Sequence, residues 1–528
     1  MKRILILVFV LFIISGCDSA KQNSVKVVTH NVQQIADVDP TIYGNAITAT
    51  DLKKMLYVYA SDEFEGRETG EPGQKKAVNY LRQQYKDMGI PSALPNNDYF
   101  QNVPLEKQKS PEISITLNGK KYTNFKDFIL TGGTSTASIA VDHIVYAGYG
   151  IEDKNYSDYK GIDVKGKVVL IKAGEPKNED GTYVTTGNTE PTKWTNGSQG
   201  RHSKRDVAKE KGAKVLIMMD DDASFTSLSS YYTKIIKSGR SGHISLKKTV
   251  QKMPQFMVTE NFGKAIYGDI NEDDSPKVLH TSLKIDINGT SENVSSENVL
   301  AYIKGSEKPN EILVISAHLD HLGIHNGEIY NGADDDGSGT IAVVEIAKAF
   351  EDAVKDGYRP KRSILFLNVT GEEKGLLGSE YYTSHPVFPL KNTIADLNID
   401  MVGRIDPKHE NNGNYVYLIG SNRLSTELHE ISEDANQKYT HLNLDYTYND
   451  DNDPNRFYYR SDHYNFAKHN IPVIFYFNGT HADYHQPTDT PDKIVYDIYE
   501  TRTRLVFYTA WELANRDQRI VVDKAETK

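Results

Sequence analysis

An α/β fold is predicted, with a mostly parallel central sheet flanked by helices and a β-rich domain inserted into it. In the C-terminal half, short apolar runs alternate with helical stretches. Ile312–Ile315 precedes the periodic segment Thr340–Phe350, and Ile364–Leu367, Ile394–Ile399 and Val473–Phe477 follow. That alternation is the pattern of parallel strands joined by crossover helices. From residue 127 to 275 the texture changes to short strands with many turns, which suits a separate small unit. The 528 residues are also more than one ordinary core organises.

At the N-terminus, Lys2-Arg3 precede an apolar run from Ile4 to Ile14 that ends in Ser15-Gly16-Cys17. The run is too short to span a bilayer and has the proportions of a signal segment. Ile14-Ser15-Gly16-Cys17 resembles the lipobox of bacterial lipoproteins. Residues 1–17 are therefore expected to be a signal peptide, with Cys17 lipidated as the mature N-terminus. Cys17 is the one cysteine in the chain, which excludes an intramolecular disulfide and a thiolate metal site. Residues 18–46 read as a polar tether. The expected location is the bacterial envelope, with membrane contact only through the lipid anchor. A net charge of −11 argues against nucleic acid as a partner.

Folded structure is expected from residue 47. The main domain is assigned to 47–126 and 276–528, and the insert to 127–275. Ala77, Tyr80, Leu81, Tyr85 and Met88 share one face of a helix over Gly73–Met88, ended by Gly89 and Pro91. The preceding Ser61–Arg67 reads as a solvated turn. Leu283–Ile287 and Asn298–Ile303 read as neighbouring strands.

The chemistry gathers at strand ends. Ile312–Ile315 runs into Ser316-Ala317-His318-Leu319-Asp320-His321, where residues two apart point the same way, so His318 and Asp320 can face one site. The small-residue turn Gly332-Ala333-Asp334-Asp335-Asp336-Gly337-Ser338-Gly339 opens the next helix. Later strands run into Glu372-Glu373, into Asp400 and towards Tyr484-His485. In open α/β sheets sites form at the carboxyl ends of strands, so these residues can converge. An imidazole with several carboxylates looks like a metal's first ligands. Arg460 and Asp462, before the last strand, are placed to line a substrate pocket.

In that order, these motifs resemble the co-catalytic di-zinc aminopeptidases, a family that includes glutamate carboxypeptidase and is similar to the transferrin receptor. The resemblance runs from about Asp51 to the C-terminus. The insert, through Gly148-Tyr149-Gly150 and Gly166-Lys167-Val168-Val169, resembles the protease-associated domain. The resemblance implies a zinc-peptidase fold with two zinc ions per chain. It implies His318, Asp335 and Asp400 as ligands of one ion, and Asp335, Glu373 and His485 as ligands of the other. Glu372 would be the general base, Asp320 would orient His318, and Tyr484 would stabilise the oxyanion. Three carboxylates and a bridging hydroxide balance two dications, so the bound water should ionise near neutral pH. The implied function is an aminopeptidase acting on peptides. Alternatives are a carboxypeptidase or dipeptidase on the same site, then a glutaminyl cyclase or a non-catalytic receptor-like protein. Arg404, Arg456 and Arg460 are the counterweight to an aminopeptidase, since each could pair with a terminal carboxylate. Side-chain preference and oligomeric state have no signal in the sequence.

Overall fold

The computed structural model describes residues 38–195, 197–237, 243–247 and 252–524. The signal segment, Cys17 and tether residues 18–37 lie outside them. No helix among the described residues is long and apolar enough to cross a membrane.

The main domain is a nine-stranded sheet. Its order is Asn443–Asp445, Tyr415–Ile419, Val473–Phe477, Thr393–Ile399, Lys308–His318, Arg362–Val369, Ser291–Ile303, Phe100–Gln108 and His243–Leu246. The four site-bearing strands, Val473–Phe477 through Arg362–Val369, are all parallel. Beyond them the pairings are antiparallel, except that Asn443–Asp445 runs parallel to Tyr415–Ile419, so "mostly parallel" describes the centre of a mixed sheet. The central strands are buried on both faces, which is why they read as unbroken apolar runs. Leu313 and Ile315 pack on one face with Val343 and Phe350 of helix Gly339–Lys355 and Leu505 of helix Tyr496–Asn515. Ile312 and Val314 pack on the other with Tyr382 and Phe466. Each such side chain contributes roughly 1.5–3 kcal/mol on leaving water, so many small terms fix the strand ends at which the site is built.

The inserted unit is an eight-stranded sheet in the order Lys120–Tyr122, Glu112–Leu117, Lys277–Asn288, Ala137–Tyr146, Val168–Lys172, Val215–Met219, Gln255–Val258 and Phe128–Gly132. It is therefore wider than 127–275, because Lys277–Asn288 pairs antiparallel with both Glu112–Leu117 and Ala137–Tyr146. Pairing between segments so far apart leaves no local trace in composition. Lys277–Asn288 and Ser291–Ile303 also belong to different sheets rather than to one pair. Helices Gly197–Glu210 and Asp222–Lys237 and three parallel pairings make the unit α/β in part. The second helix is rich in Ser, Thr and Tyr, weak helix formers that hide its period.

Folded structure also begins before residue 47. Thr41–Gly44 is helical, and Tyr43 is buried, stacked on Trp511, with its hydroxyl donating to Asp356 at 3.1 Å. The tether ends earlier than its polar composition suggests, because one aromatic anchors it.

Candidate metal centre

His318 ends its strand with its ring fully buried. Its Nδ1–H donates to the main-chain carbonyl of Asp320 at 3.0 Å, which leaves Nε2 as the outward lone pair. Nε2 lies 3.2 Å from Oδ1 of Asp335 and 3.6 Å from Oδ1 of Asp400. The carboxylate of Asp320 lies 4.0 Å from Nδ1 of His318 and has closer partners besides. It accepts from the Thr69 hydroxyl at 2.6 Å and from the main-chain N–H of Glu372 at 3.2 Å.

The acidic turn divides its labour among three aspartates. Asp334 accepts from Ser338, from the N–H of Gly403 and from Asn478, and His481 lies 3.1 Å away. Asp336 accepts from the N–H groups of His318, Gly339 and Met401 at 3.2, 2.9 and 3.0 Å. Asp336 also falls within 4.8 Å of donor atoms of His318 and Asp400. Its oxygens are already consumed by three amides, so Asp335 is the aspartate free to bind. Asp335 turns one oxygen to each side: Oδ1 faces His318, while Oδ2 lies 3.0 Å from Nε2 of His485. Glu373 Oε1 closes the second side, 3.4 Å from His485 Nε2 and 2.9 Å from Nδ1 of His321.

Burial and the adjacent Asp335 push the Glu373 carboxyl up, but the imidazoles of His321 and His485 outweigh them and hold it down at about 2. Burial pulls the His485 imidazole down, and Asp335 with Glu373 reverses this and raises it to about 10. Glu372 is pushed well above the usual carboxylate range by burial and then by Glu373, Asp400 and Asp462, against His318. Buried imidazoles and carboxylates without sulfur are the donor set of zinc or a similar divalent ion. Glu373 Oε1 and both nitrogens of His321 are buried without a hydrogen-bond partner among the described residues. The residues therefore fit such an ion on both sides of Asp335.

Residues 298–510 match Peptidase family M28. The chain is also similar to a probable leucine aminopeptidase 2 of Aspergillus oryzae, 27% identical over 357 residues, covering 66% of this chain and 56% of that protein. Among solved structures, it is similar to an aminopeptidase from an Aneurinibacillus species at 18% identity, with a TM-score of 0.49, covering 93% of this chain and all of that one. A zinc aminopeptidase from Bacillus subtilis gives 17% identity and a TM-score of 0.46, with coverage of 90% and 98%.

Two hollows meet the centre. A pocket of about 30 Å³ beside His318, Asp335, Glu372 and Asp400 is walled by Met401, Phe457, Phe475, Phe477, Arg460 and Tyr484. The Tyr484 ring stacks on His485 with centroids 3.9 Å apart, and its hydroxyl lies 3.5 Å from Arg460. A cleft of about 1290 Å³ reaches Glu373 and His485 and runs out between Leu322 and Ile324 on one side and Phe125, Leu130 and Tyr232 of the insert on the other. Asp462 is a correction: its side chain is fully buried, accepts from Ser379, and offers nothing to a pocket. Burial raises its carboxyl to about 7. Its neighbour Ser461 does reach the centre, donating to Oδ2 of Asp400 at 2.6 Å and accepting from Asn398 at 2.9 Å.

Sequence reasoning missed the clamp behind the ligand loops. Arg67 is fully buried rather than solvated, and donates to the carbonyls of Leu319, Asn331, Gly332 and Tyr59 at 3.1, 2.7, 2.8 and 3.3 Å. It thereby ties the loop after His318 to the start of the acidic turn. Gly66 beside it has φ +64°, and a Cβ there would meet the Tyr330 carbonyl at 2.3 Å, so only glycine lets the segment approach. Arg67→Met is expected to destabilise the domain by about 3 kcal/mol or more, since it strands buried carbonyls that now share one cation. Denaturant unfolding checks this, and a loss near zero would show that the clamp is incidental.

Proposed function

We propose that the chain is a zinc-dependent exopeptidase that releases N-terminal residues from peptides, with two zinc ions sharing one carboxylate. Asp335 carries this reading, because its two oxygens face separate imidazole–carboxylate sets at 3.2 and 3.0 Å. His318, Asp335 and Asp400 would hold one ion, and Asp335, Glu373 and His485 the other. Zinc at such a centre polarises the scissile carbonyl and makes water acidic enough to ionise near neutral pH.

The remaining steps belong to this chain's own residues. Glu372, with its main chain fixed by Asp320, takes the proton of the attacking water and returns it to the leaving amine. The Tyr484 hydroxyl, on the rim of the small pocket, donates to the carbonyl oxygen as it gains charge. Of the acids that line the same pocket, Glu372 is the one that holds no ion, and it gives the substrate's terminal ammonium an acidic neighbour. Phe457, Phe475 and Phe477 offer its first side chain an apolar wall.

Arg404 is drawn away from a terminal carboxylate by acids of its own. It is held by Asp483 at 2.8 Å and lies 3.9 Å from Asp489. Arg460 is different: it stands on the pocket rim beside Tyr484, which favours the second reading, a carboxypeptidase. Free and N-acetylated peptides, each with free and amidated C-termini, separate the two. Acetylation is expected to abolish cleavage and amidation to leave it intact. The reverse pattern would hand the site to the carboxypeptidase reading.

We further propose that the insert is a protease-associated domain, on the phrases Gly148–Gly150 and Gly166–Val169, and that Cys17 carries the lipid. Cys17→Ser is expected to abolish metabolic fatty-acid labelling and release the protein, with kcat/KM unchanged. An unlabelled wild type rejects the anchor.

A further inference from the structure

His321 sits three residues beyond His318 and has no task in the reading above. Its ring is fully buried, and neither nitrogen has a hydrogen-bond partner among the described residues. Leaving a buried polar atom unmet costs about 1–3 kcal/mol, so such a group calls for a partner. The ring is also held in place. Gly332 lies directly against it, and a Cβ at that glycine would come within 2.5 Å of His321 Cγ and Cδ2. Held this way, Nδ1 is 2.9 Å from Glu373 Oε1 and 3.8 Å from Asp335 Oδ2. The shorter contact is within hydrogen-bond distance yet is not aligned as one. Two donor atoms that crowd each other without facing each other converge on a third point. His485 Nε2 reaches the same two oxygens at 3.0 and 3.4 Å. Ligands about 2.0–2.1 Å from a tetrahedral zinc stand roughly 3.3–3.4 Å apart, in the middle of these separations.

We infer that His321, through Nδ1, is a fourth protein ligand of the ion held by Asp335, Glu373 and His485. The inference rests on the two-zinc reading. It makes the two ions unequal. One is enclosed by four protein donors, the arrangement of a closed zinc site. The other has His318, Asp335 and Asp400, keeps a coordination position open, and borders the small pocket next to Glu372. The closed site fills first and more tightly, and the open site governs access of water and carbonyl. A plainer role for His321 is to donate an N–H to Glu373 and merely orient it.

X-ray absorption on the full chain, stripped of metal and reloaded with one equivalent of zinc, separates these without any substitution. Two imidazoles per zinc are expected, whereas one imidazole overturns the ligand role. Zinc affinity by chelator competition gives the second measurement. His321→Gln keeps an N–H donor but lacks the ring nitrogen. It is expected to weaken the first equivalent by about 100-fold or more, beyond the usual range for orienting partners, and to spare the second. Binding of the first equivalent within a few-fold of wild type would equally overturn the proposal. A wild type that takes up only one zinc at saturation refutes the two-zinc reading itself. Two zincs with one imidazole at the tight site refute only the role of His321.

Discussion

Glu372→Gln is expected to keep the full zinc content while lowering kcat by about 10²- to 10⁴-fold, the range that a positioned general base supplies. The main-chain N–H of Glu372 is pinned to Asp320, whose other oxygen is taken by Thr69, so the side chain starts from a fixed point beside the small pocket. Glutamine occupies the same volume and can still hold water, but it cannot accept the proton. Glu373→Gln is the control. Its carboxylate faces His485 and His321, so its loss is expected to appear first in metal content. Elemental analysis beside steady-state kinetics reads both variants. Equal metal loss in the two would show that the roles within the Glu-Glu pair are wrongly divided.

How much of this centre was legible depends on where each residue gets its meaning. His318, Asp335, Glu373, Asp400 and His485 each follow an apolar strand in sequence, and the fold brings those strand ends together. A local pattern therefore pointed to a tertiary site. His321 stood in the same short segment as His318, but nothing local gave it a role. Arg67 and Thr69 were not legible. Their partners, Leu319, Asp320, Asn331 and Gly332, lie in distant segments, so a buried arginine amid Asp, Glu and Gly reads as solvated. The insert shows the same limit. Its edges are set by long-range antiparallel pairs such as Leu283 with Leu117, whereas the turn-rich texture marked only its interior.

Asp335→Asn is expected to remove both zinc ions, from two per chain to near none, and with them all measurable turnover. The reason is geometric. Oδ1 faces His318, which neighbours Asp400, and Oδ2 faces His485, which neighbours Glu373, so one substitution reaches both ions. An amide can offer only its oxygen, to one side, and the other side would meet an NH₂ group. Asp336→Asn, one residue on, is expected to fail differently. Its carboxylate accepts three main-chain N–H groups, and an amide would set a donor against at least one of them. That should cost about 1–3 kcal/mol of folding stability even in metal-free protein. Asp335→Asn disturbs no main-chain N–H among the described residues, and what the metal-free protein loses there is the pairing of the carboxylate with His318 and His485, so its effect should show first in zinc content. Unfolding in chelator beside elemental analysis therefore reads the two aspartates apart. Retention of one zinc at wild-type affinity by Asp335→Asn would show that its carboxylate serves a single ion, and the shared bridge would have to be given up.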